Sequence, residues 1–179
     1  MKIITFGASN SKRSINKTLA QFTATLVPEA EVEALDLNDF DLPIFSEDLE
    51  KEIGHPQPAK AFFDAIGRAD GVIVSFAEHN GSYTAAYKNL FDWASRIDQK
   101  VFQNKPTIFL STSPGPGGAA SVLAAAKGSA RFFGVDLKAA VSVASFHEVF
   151  DPDTGRITQP VVLAELTDAA EALVEREVA

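Results

Sequence analysis

The chain has 179 residues, 46% of them hydrophobic and 22% charged, a balance typical of a folded globular protein. Its formal net charge of -8 opposes binding to nucleic-acid phosphate or to an anionic membrane surface. Cysteine is absent, which excludes disulfides, thiolate nucleophiles and cysteine-ligated metal sites. There is no signal-peptide pattern and no run of about 20 apolar residues, so we expect one cytoplasmic domain over residues 1–179.

Short apolar segments alternate along the chain with stretches of helical periodicity. The segments predicted to be strands are 2–6, 31–36, 71–76, 106–112 and 137–146. Helices are predicted over 15–26, 57–68, 83–97, 122–133 and 160–177. Strands that alternate with helices form βαβ units, so the pattern predicts an α/β fold with a three-layer, doubly wound, parallel five-stranded sheet in the flavodoxin-like order 2-1-3-4-5. On composition alone, the acidic segment (36–56) is interpreted as a solvated connection.

The first loop (7–17) joins the first predicted strand to a helix. Ligands of open parallel sheets bind beyond the carboxyl ends of the strands, so this loop and those after the third and fourth strands form one candidate site. It places Lys12, Arg13 and Lys17 near Ser14, a predicted helix N-cap. Free N–H groups at a helix N-terminus, with cations nearby, favour phosphate binding. The P-loop pattern is absent, which disfavours a nucleoside triphosphate, and a capping loop without any ligand is the alternative.

The second loop (77–82) carries Glu78 beside His79 and ends in an Asn-Gly turn that tolerates positive φ. A metal site is not predicted, because no second histidine stands at ligand spacing. The loop is better interpreted as a turn that exposes backbone N–H groups toward the polar atoms of a ring.

The third loop (113–118) is rich in glycine and proline. Residues 115–120 formally match the G-x-G-x-x-G/A dinucleotide pattern, but Pro116 removes a backbone donor from the turn. Asp136 is also predicted at the start of its strand, whereas a ribose-binding acid must stand at the end. We therefore interpret the loop as a wall that lets a flat ligand approach the backbone closely.

The predicted helix 83–97 has a wide apolar arc, which Phe91 and Trp93 extend on either side of its main stripe. Deep burial of this helix explains the arc. Contact with a second subunit or with a planar ligand explains it equally well.

Together, these loops resemble the NAD(P)H-dependent FMN reductase family, a flavodoxin-like group that includes quinone, azo-dye and chromate reductases. The family's first motif, G-S-x-R-x-x-S-x-N, is similar to residues 8–16. Its second motif, P-E-Y-N-G-S followed by K-N-x-x-D-W, is similar to 77–82 and 88–93. The stretch 36–48 and the turn 113–118 resemble the family's connection after the second strand and its Gly-rich turn.

This resemblance implies that FMN is the cofactor and that all three loops hold it. The residues it assigns to the FMN phosphate are Ser9, Ser11, Ser14, Ile15 and Asn16. Those it assigns to the isoalloxazine, largely through backbone groups, are Glu78, His79, Asn80 and Gly81. Those it places on the other side of the ring are Ser113, Pro114, Gly115 and Gly117. The chain departs from the family at three positions, with Ser11 for Arg, Ala77 for Pro and His79 for Tyr.

The implied activity is an NAD(P)H-dependent oxidoreductase that passes hydride from nicotinamide to FMN and then reduces a small acceptor such as a quinone. NAD(P)H is the co-substrate, no metal is expected, and no side chain is assigned a catalytic role. His79 is the titratable residue to test for proton transfer. The partners implied are a small-molecule acceptor and a second copy of the chain, as a homodimer or homotetramer. A non-enzymatic electron carrier of flavodoxin type and a flavin-free binding domain on the same fold are the alternatives.

Overall fold

A five-stranded parallel sheet forms the centre of the molecule, and the structure, a computed structural model, describes residues 1–174. The strands are β1 (Lys2–Ala8), β2 (Glu31–Ala34), β3 (Gly71–Phe76), β4 (Glu78–His79), β5 (Ser82–Tyr83), β6 (Lys105–Thr112), β7 (Val135–Val143), β8 (Phe150–Asp151) and β9 (Arg156–Ile157). The helices are α1 (Ile15–Thr25), α2 (Glu47–Ile53), α3 (Gln57–Arg68), α4 (Ala85–Ile97), α5 (Ala120–Ser129), α6 (Phe146–Val149) and α7 (Pro160–Val174). Two 3₁₀ turns span Leu37–Asp39 and Ala130–Phe133.

The large sheet has the strand order β2-β1-β3-β6-β7, and every neighbouring pair is parallel. When only these five strands are counted, this is the order 2-1-3-4-5, so the predicted flavodoxin-like α/β fold is confirmed. Strand order reverses between β1 and β3, and ligands of such sheets bind at that point, beyond the carboxyl ends. The fold therefore brings the loops after β1, β3 and β6 to one edge of the sheet.

Two hydrophobic layers cover the faces of the sheet. Ile3 of β1 belongs to the layer formed with α1 and α7, whereas its neighbour Ile4 belongs to the layer formed with α3, α4 and α5. All six residues of β3 are buried. A central strand covered on both faces needs apolar residues at every position, which explains why β3 shows no alternation.

Hydrogen bonds of two polar side chains shift the predicted element boundaries. The carboxylate of Asp36 accepts a hydrogen bond from the N–H of Asn38 at 3.0 Å, so the chain enters a 3₁₀ turn and the second strand ends at Ala34. Thr84 caps α4, so Tyr83 pairs in a hairpin and does not continue the predicted helix.

The last two strand and helix predictions also end elsewhere. β7 starts two residues early and ends at Val143, because Ser145 takes the left-handed conformation (φ 48°) and Phe146 begins α6. The helix predicted over 122–133 continues beyond α5 only as a 3₁₀ turn. For the helix predicted over 160–177, the last three residues lie outside the described part of the chain. No helix within residues 1–174 is long and apolar enough to cross a membrane.

The acidic segment (36–56) is exposed over much of its length, as its interpretation as a solvated connection predicts, but it also contains a 3₁₀ turn and α2. Side chains of α4 bind its backbone. The Nε1–H of Trp93 and the amide of Asn89 donate to the carbonyl of Pro43 at 2.8 and 3.0 Å. Asn89 Oδ1 accepts the N–H of Phe45 at 2.9 Å, and the Phe45 ring packs edge-on against Trp93. The K-N-x-x-D-W motif thus holds this segment in place.

Candidate functional site

A cleft of about 550 Å³ lies at the sheet edge where the three loops meet. Its volume is within the range of about 300–1,000 Å³ found for small-molecule and cofactor sites. The residues that line it are Ser9, Ser11, Arg13, Ser14, Ile15 and Asn16 from the first loop, Ala77, Glu78 and His79 from the second, Thr112, Ser113 and Pro114 from β6 and the third, and His147 from α6.

The start of α1 presents free donors to this cleft. A Cβ at Gly7 would lie 2.5 Å from the backbone nitrogen of Lys17, so only glycine lets β1 run this close to the helix. Ser14 is the N-cap as predicted, and its Oγ accepts the N–H of Lys17 at 3.2 Å. The N–H groups of Ile15 and Asn16 have no acceptor among the described residues. Free donors in the first turn of a helix attract an anion.

Arg13 supplies the positive charge in the lining of the cleft. Lys17, one of the other predicted cations, is paired instead, and its Nζ lies 2.5 Å from Asp36 Oδ2. This hydrogen bond, aided by the N–H of Asn38, lowers the pKa of Asp36 to about 2. Lys12 does not line the cleft. Among the three cations predicted for the first loop, Arg13 is therefore the one placed to pair with a bound anion.

Asn16 ties the first loop to the ends of two strands. It is 3% exposed, and its Oδ1 accepts from Ser75 Oγ at 2.7 Å and from the Thr112 N–H at 3.0 Å. Its Nδ2 donates to the Thr112 carbonyl at 3.1 Å. The side chain thus holds the first loop to β3 and β6. The backbone N–H of Asn16 is the group left to contact a ligand.

The second loop is a small hairpin fixed to the first loop. Asn80 (φ 53°) and Gly81 (φ 76°) form its turn, as the Asn-Gly sequence predicts. The hydroxyl of Thr84 donates to the carbonyl of Ala8 at 2.9 Å, which joins the end of the hairpin to the end of β1. This bond places the end of the hairpin beside the part of the cleft that the first loop lines.

The third loop is held by Gly118, which sequence reasoning missed. A Cβ at this position would collide with the Oγ of Ser142, and φ is +56°. The Gly118 carbonyl accepts hydrogen bonds from Ser111 and Ser142 at 2.7 and 2.9 Å. The N–H groups of Gly115 and Gly117 have no acceptor among the described residues. The run of glycines before α5 is the signal for Gly118, although the sequence alone does not distinguish close packing from ligand approach.

Two histidines line the cleft, His79 from the second loop and His147 from α6. His147 was not predicted, because it follows the last strand and belongs to none of the three loops. Glu78 does not form an acid–base pair with His79. Its carboxylate accepts the backbone N–H of Val122 at 2.9 Å.

Most residues predicted to contact FMN line the cleft. Those that lie in the same loops but outside the lining are Asn80, Gly81, Gly115 and Gly117. Lining residues that sequence reasoning left unassigned are Ala77, Thr112 and His147. The contact of each residue with FMN stays a prediction.

The residues present fit FMN in charge, and there is open space beside the third loop. One end of the cleft offers Arg13 and the free N–H groups of α1 to a phosphate. A Cβ built at Gly115 or Gly117 meets no other atom within 4 Å, so the space beside the third loop is open to a flat ring. Within residues 1–174, Glu78 is the one acid in the lining, and its carboxylate is engaged by the N–H of Val122.

A family model described as NADPH-dependent FMN reductase matches residues 1–148, which include every residue that lines the cleft. Among curated proteins, the chain is similar to a quinone reductase of Escherichia coli K12, with 31% identity over 64% of this chain and 61% of that protein. It is also similar to a 2-hydroxy-1,4-benzoquinone reductase of Burkholderia, with 35% identity over 67% of this chain and 64% of that protein. The chain thus spans about three fifths of the length of these relatives.

Among solved structures, the fold is similar to FerB of Paracoccus denitrificans, described as a flavoenzyme NAD(P)H:(acceptor) oxidoreductase. The TM-score is 0.76 and the identity is 26%, over 96% of this chain and 94% of that one. This likeness extends over the whole fold, whereas the similarity to the two curated relatives covers about two thirds of the chain.

Proposed function

We propose a function from one premise, which is that this chain belongs to the NADPH-dependent FMN reductase family. FMN is the cofactor that this membership assigns. We propose that the chain oxidises NAD(P)H and reduces a small-molecule acceptor, with a quinone as the acceptor class. The activities named for its quinone reductase relatives support this choice.

The first loop would hold the phosphate of FMN. Bound FMN supplies hydride acceptance and electron transfer, which no side chain of the cleft provides. The N–H groups of Ile15 and Asn16 would donate to phosphate oxygens, and Arg13 would add a charge-assisted contact. Arg13 would thereby replace the arginine of the family's first motif, whose position is occupied by Ser11 in this chain.

The second and third loops would orient the ring between them. The hairpin would form one wall of the cleft, and the Ser113-Pro114 turn, which directly follows β6, would form the other. Free N–H groups of Gly115 and Gly117 are donors for ring oxygen or nitrogen atoms where negative charge develops. His79 and His147 also line the cleft, and both are residues to test for proton transfer beside the ring.

The free donors at the start of α1, which face a cleft with one lining arginine, support this function most directly. The test is an absorbance scan of the purified protein, followed by anaerobic addition of NADPH and then of a quinone. We expect a flavin spectrum that NADPH bleaches and the quinone restores. A protein that stays colourless after incubation with FMN would be a flavin-free domain. A flavin spectrum that NADPH leaves unchanged would indicate an electron carrier.

We propose further that the chain is a single cytoplasmic domain and acts as a homodimer. The contact face would be the aromatic groove between α4 and α5, a cavity of about 350 Å³ where half-buried Phe91 and Phe133 pack edge-on. Trp93, by contrast, is fully buried and contributes nothing to this face. Sedimentation of the wild type and of Phe91→Glu tests the proposal. A monomeric wild type would refute it.

A further inference from the structure

The side chain of Glu78 turns from the cleft wall to a neighbouring helix. Its Oε2 accepts a hydrogen bond from the backbone N–H of Val122 at 2.9 Å, and the two residues are 44 positions apart in the chain. Val122 is fully buried in the first turn of α5. The contact is therefore a long-range tie between the second loop and the helix that follows the third loop.

α5 has no cap of its own. Its N-cap residue is Ala119, which takes the left-handed conformation (φ 58°) and has no side chain able to accept a hydrogen bond. Three other helices, α1, α2 and α4, are each capped by a Ser or Thr hydroxyl from their own N-cap. The N–H groups in the first turn of a helix need acceptors, and a carboxylate is favoured there by the helix dipole. Glu78 supplies that acceptor to α5.

We propose that Glu78 is a positioning residue that caps α5 and thereby fixes the separation between the two walls of the cleft. Its backbone lies in one wall, with Ala77 and His79. Its carboxylate holds α5, which starts two residues after the third loop. The third loop forms the other wall. The hairpin has only two residues in each strand, so its own pairing is weak. The Thr84 bond to Ala8 anchors its end, and the Glu78 bond to Val122 anchors its first strand to α5.

This inference rests on the proposed function, since the two walls are those that would receive the flavin ring. One oxygen of the carboxylate is engaged by the helix N–H, so we assign the side chain to the helix. The resemblance assigns Glu78 to the ring through its backbone, and the side chain has this separate task.

The experiment compares four variants with the wild type. Glu78→Ala removes the acceptor, and Glu78→Asp keeps the charge on a side chain shorter by about 1.5 Å. Glu78→Gln keeps an oxygen at the same reach. Ser46→Ala is the matched control, since Ser46 caps α2 away from the cleft with a bond of 3.2 Å. For each apoprotein we would measure the melting temperature, the Kd for FMN well below melting, and the visible absorption band of bound FMN.

We expect Glu78→Ala and Glu78→Asp to raise the Kd for FMN by about tenfold or more and to alter the absorption band. Glu78→Gln is expected to stay within about threefold of the wild type. Ser46→Ala should lower the melting temperature by about 2–4 °C, as loss of one cap does, with an unchanged Kd.

Two results would overturn the inference. The first is a lower melting temperature of Glu78→Ala with an unchanged Kd and band, which would make Glu78 a helix cap only. The second is equal FMN binding by Glu78→Asp and Glu78→Gln, which decides the matter even if Glu78→Ala does not fold. A wild type that binds no FMN would refute the proposed function itself, and this outcome is distinct from both.

Discussion

The first loop (7–17) and the acidic segment (36–56) are both polar and both follow the carboxyl end of a strand, yet they use their backbone groups in opposite ways. In the first loop, the N–H groups of Ile15 and Asn16 have no acceptor among the described residues. In the acidic segment, the Pro43 carbonyl and the Phe45 N–H are bound by side chains of α4. The first loop thus keeps its N–H donors available to a ligand, and we call it the open region. The backbone groups of the acidic segment are already hydrogen-bonded within the protein, and we call it the closed region.

Family motifs therefore mix two kinds of residue that look alike in the sequence. Ser14 and Asn89 are both polar and both belong to a motif, but Ser14 faces the cleft and Asn89 holds a neighbouring segment. Just beyond the second motif, Arg96 also binds the acidic segment: its guanidinium contacts the carboxylate of Glu50 at 2.9 Å and lowers the pKa of that group. The partner that the fold places beside a motif position, not the residue type, decides which task that position performs.

Trp93→Ala is the most severe change to the closed region. We expect it to lower the free energy of unfolding by about 3–5 kcal/mol, because it removes a fully buried indole together with its hydrogen bond to Pro43. Urea unfolding of the apoprotein measures this loss. The Kd for FMN should stay within about threefold, since separate hydrogen bonds hold the first loop.

Trp93→Phe is the control for the indole N–H. It keeps an aromatic ring against Phe45 and should cost about 1–2 kcal/mol. If FMN affinity fell in step with stability in both variants, the two regions would not be independent.

Asn16→Ala tests the scaffold beneath the open region. The buried Ser75 hydroxyl and both backbone groups of Thr112 would lose their partner. We expect a loss of about 1–3 kcal/mol in the free energy of unfolding and a rise of about tenfold in the Kd for FMN. Asn10→Ala, at an exposed position of the same loop, should change stability by less than about 0.5 kcal/mol. Equal effects of the two variants would contradict the role given to Asn16.

The sequence alone predicts the sheet order and the three loops, because burial on both faces of β3 leaves a continuous apolar run and caps such as Ser14 are local signals. It does not predict that Asn16 binds Thr112, 96 residues away, or that Glu78 caps α5. Such pairs depend on how the fold brings distant positions together. His147 has no local signal at all, since a single histidine after the last strand resembles any surface residue.

The same limit explains the acidic segment. Composition counts its carboxylates and predicts solvation, which holds for α2, none of whose residues is buried. Composition does not show that backbone groups near Pro43 meet Asn89 and Trp93, because those partners lie on another helix. The 88–93 motif was recognisable, but its residues gave no sign of what they bind.

Ser14→Ala and Ser46→Ala form a matched pair across the two regions. Each serine caps a helix, and each Oγ accepts the N–H three residues ahead at 3.2 Å. Either variant should lower the free energy of unfolding by about 1 kcal/mol. Only Ser14→Ala is expected to weaken FMN binding, which fluorescence titration measures. Weaker binding by Ser46→Ala would show that the acidic segment also reaches the ligand.

The ion pair between Lys17 and Asp36 joins the two regions and carries the smallest predicted effect. The Lys17 hydrogen bond lowers the pKa of Asp36 from 3.8 to about 2. A carboxylate whose pKa is lowered in the folded state stabilises the protein above pH 3.8, and that contribution disappears as the pH falls toward 2. The side chains are about a third exposed, so solvent screening leaves about 1 kcal/mol or less.

Asp36→Asn should therefore flatten the stability of the apoprotein between pH 4 and pH 2, about the interval between the two pKa values. Asp39→Asn, in the same 3₁₀ turn, is the control and should keep the wild-type slope. The amide at position 36 can still accept the N–H of Asn38, so the turn should persist and only the charge pairing is lost. Unfolding curves at several pH values and at low and high salt measure the difference. If the stability of Asp36→Asn depended on pH as that of the wild type does, the charge of Asp36 would not contribute to the link between the open and closed regions.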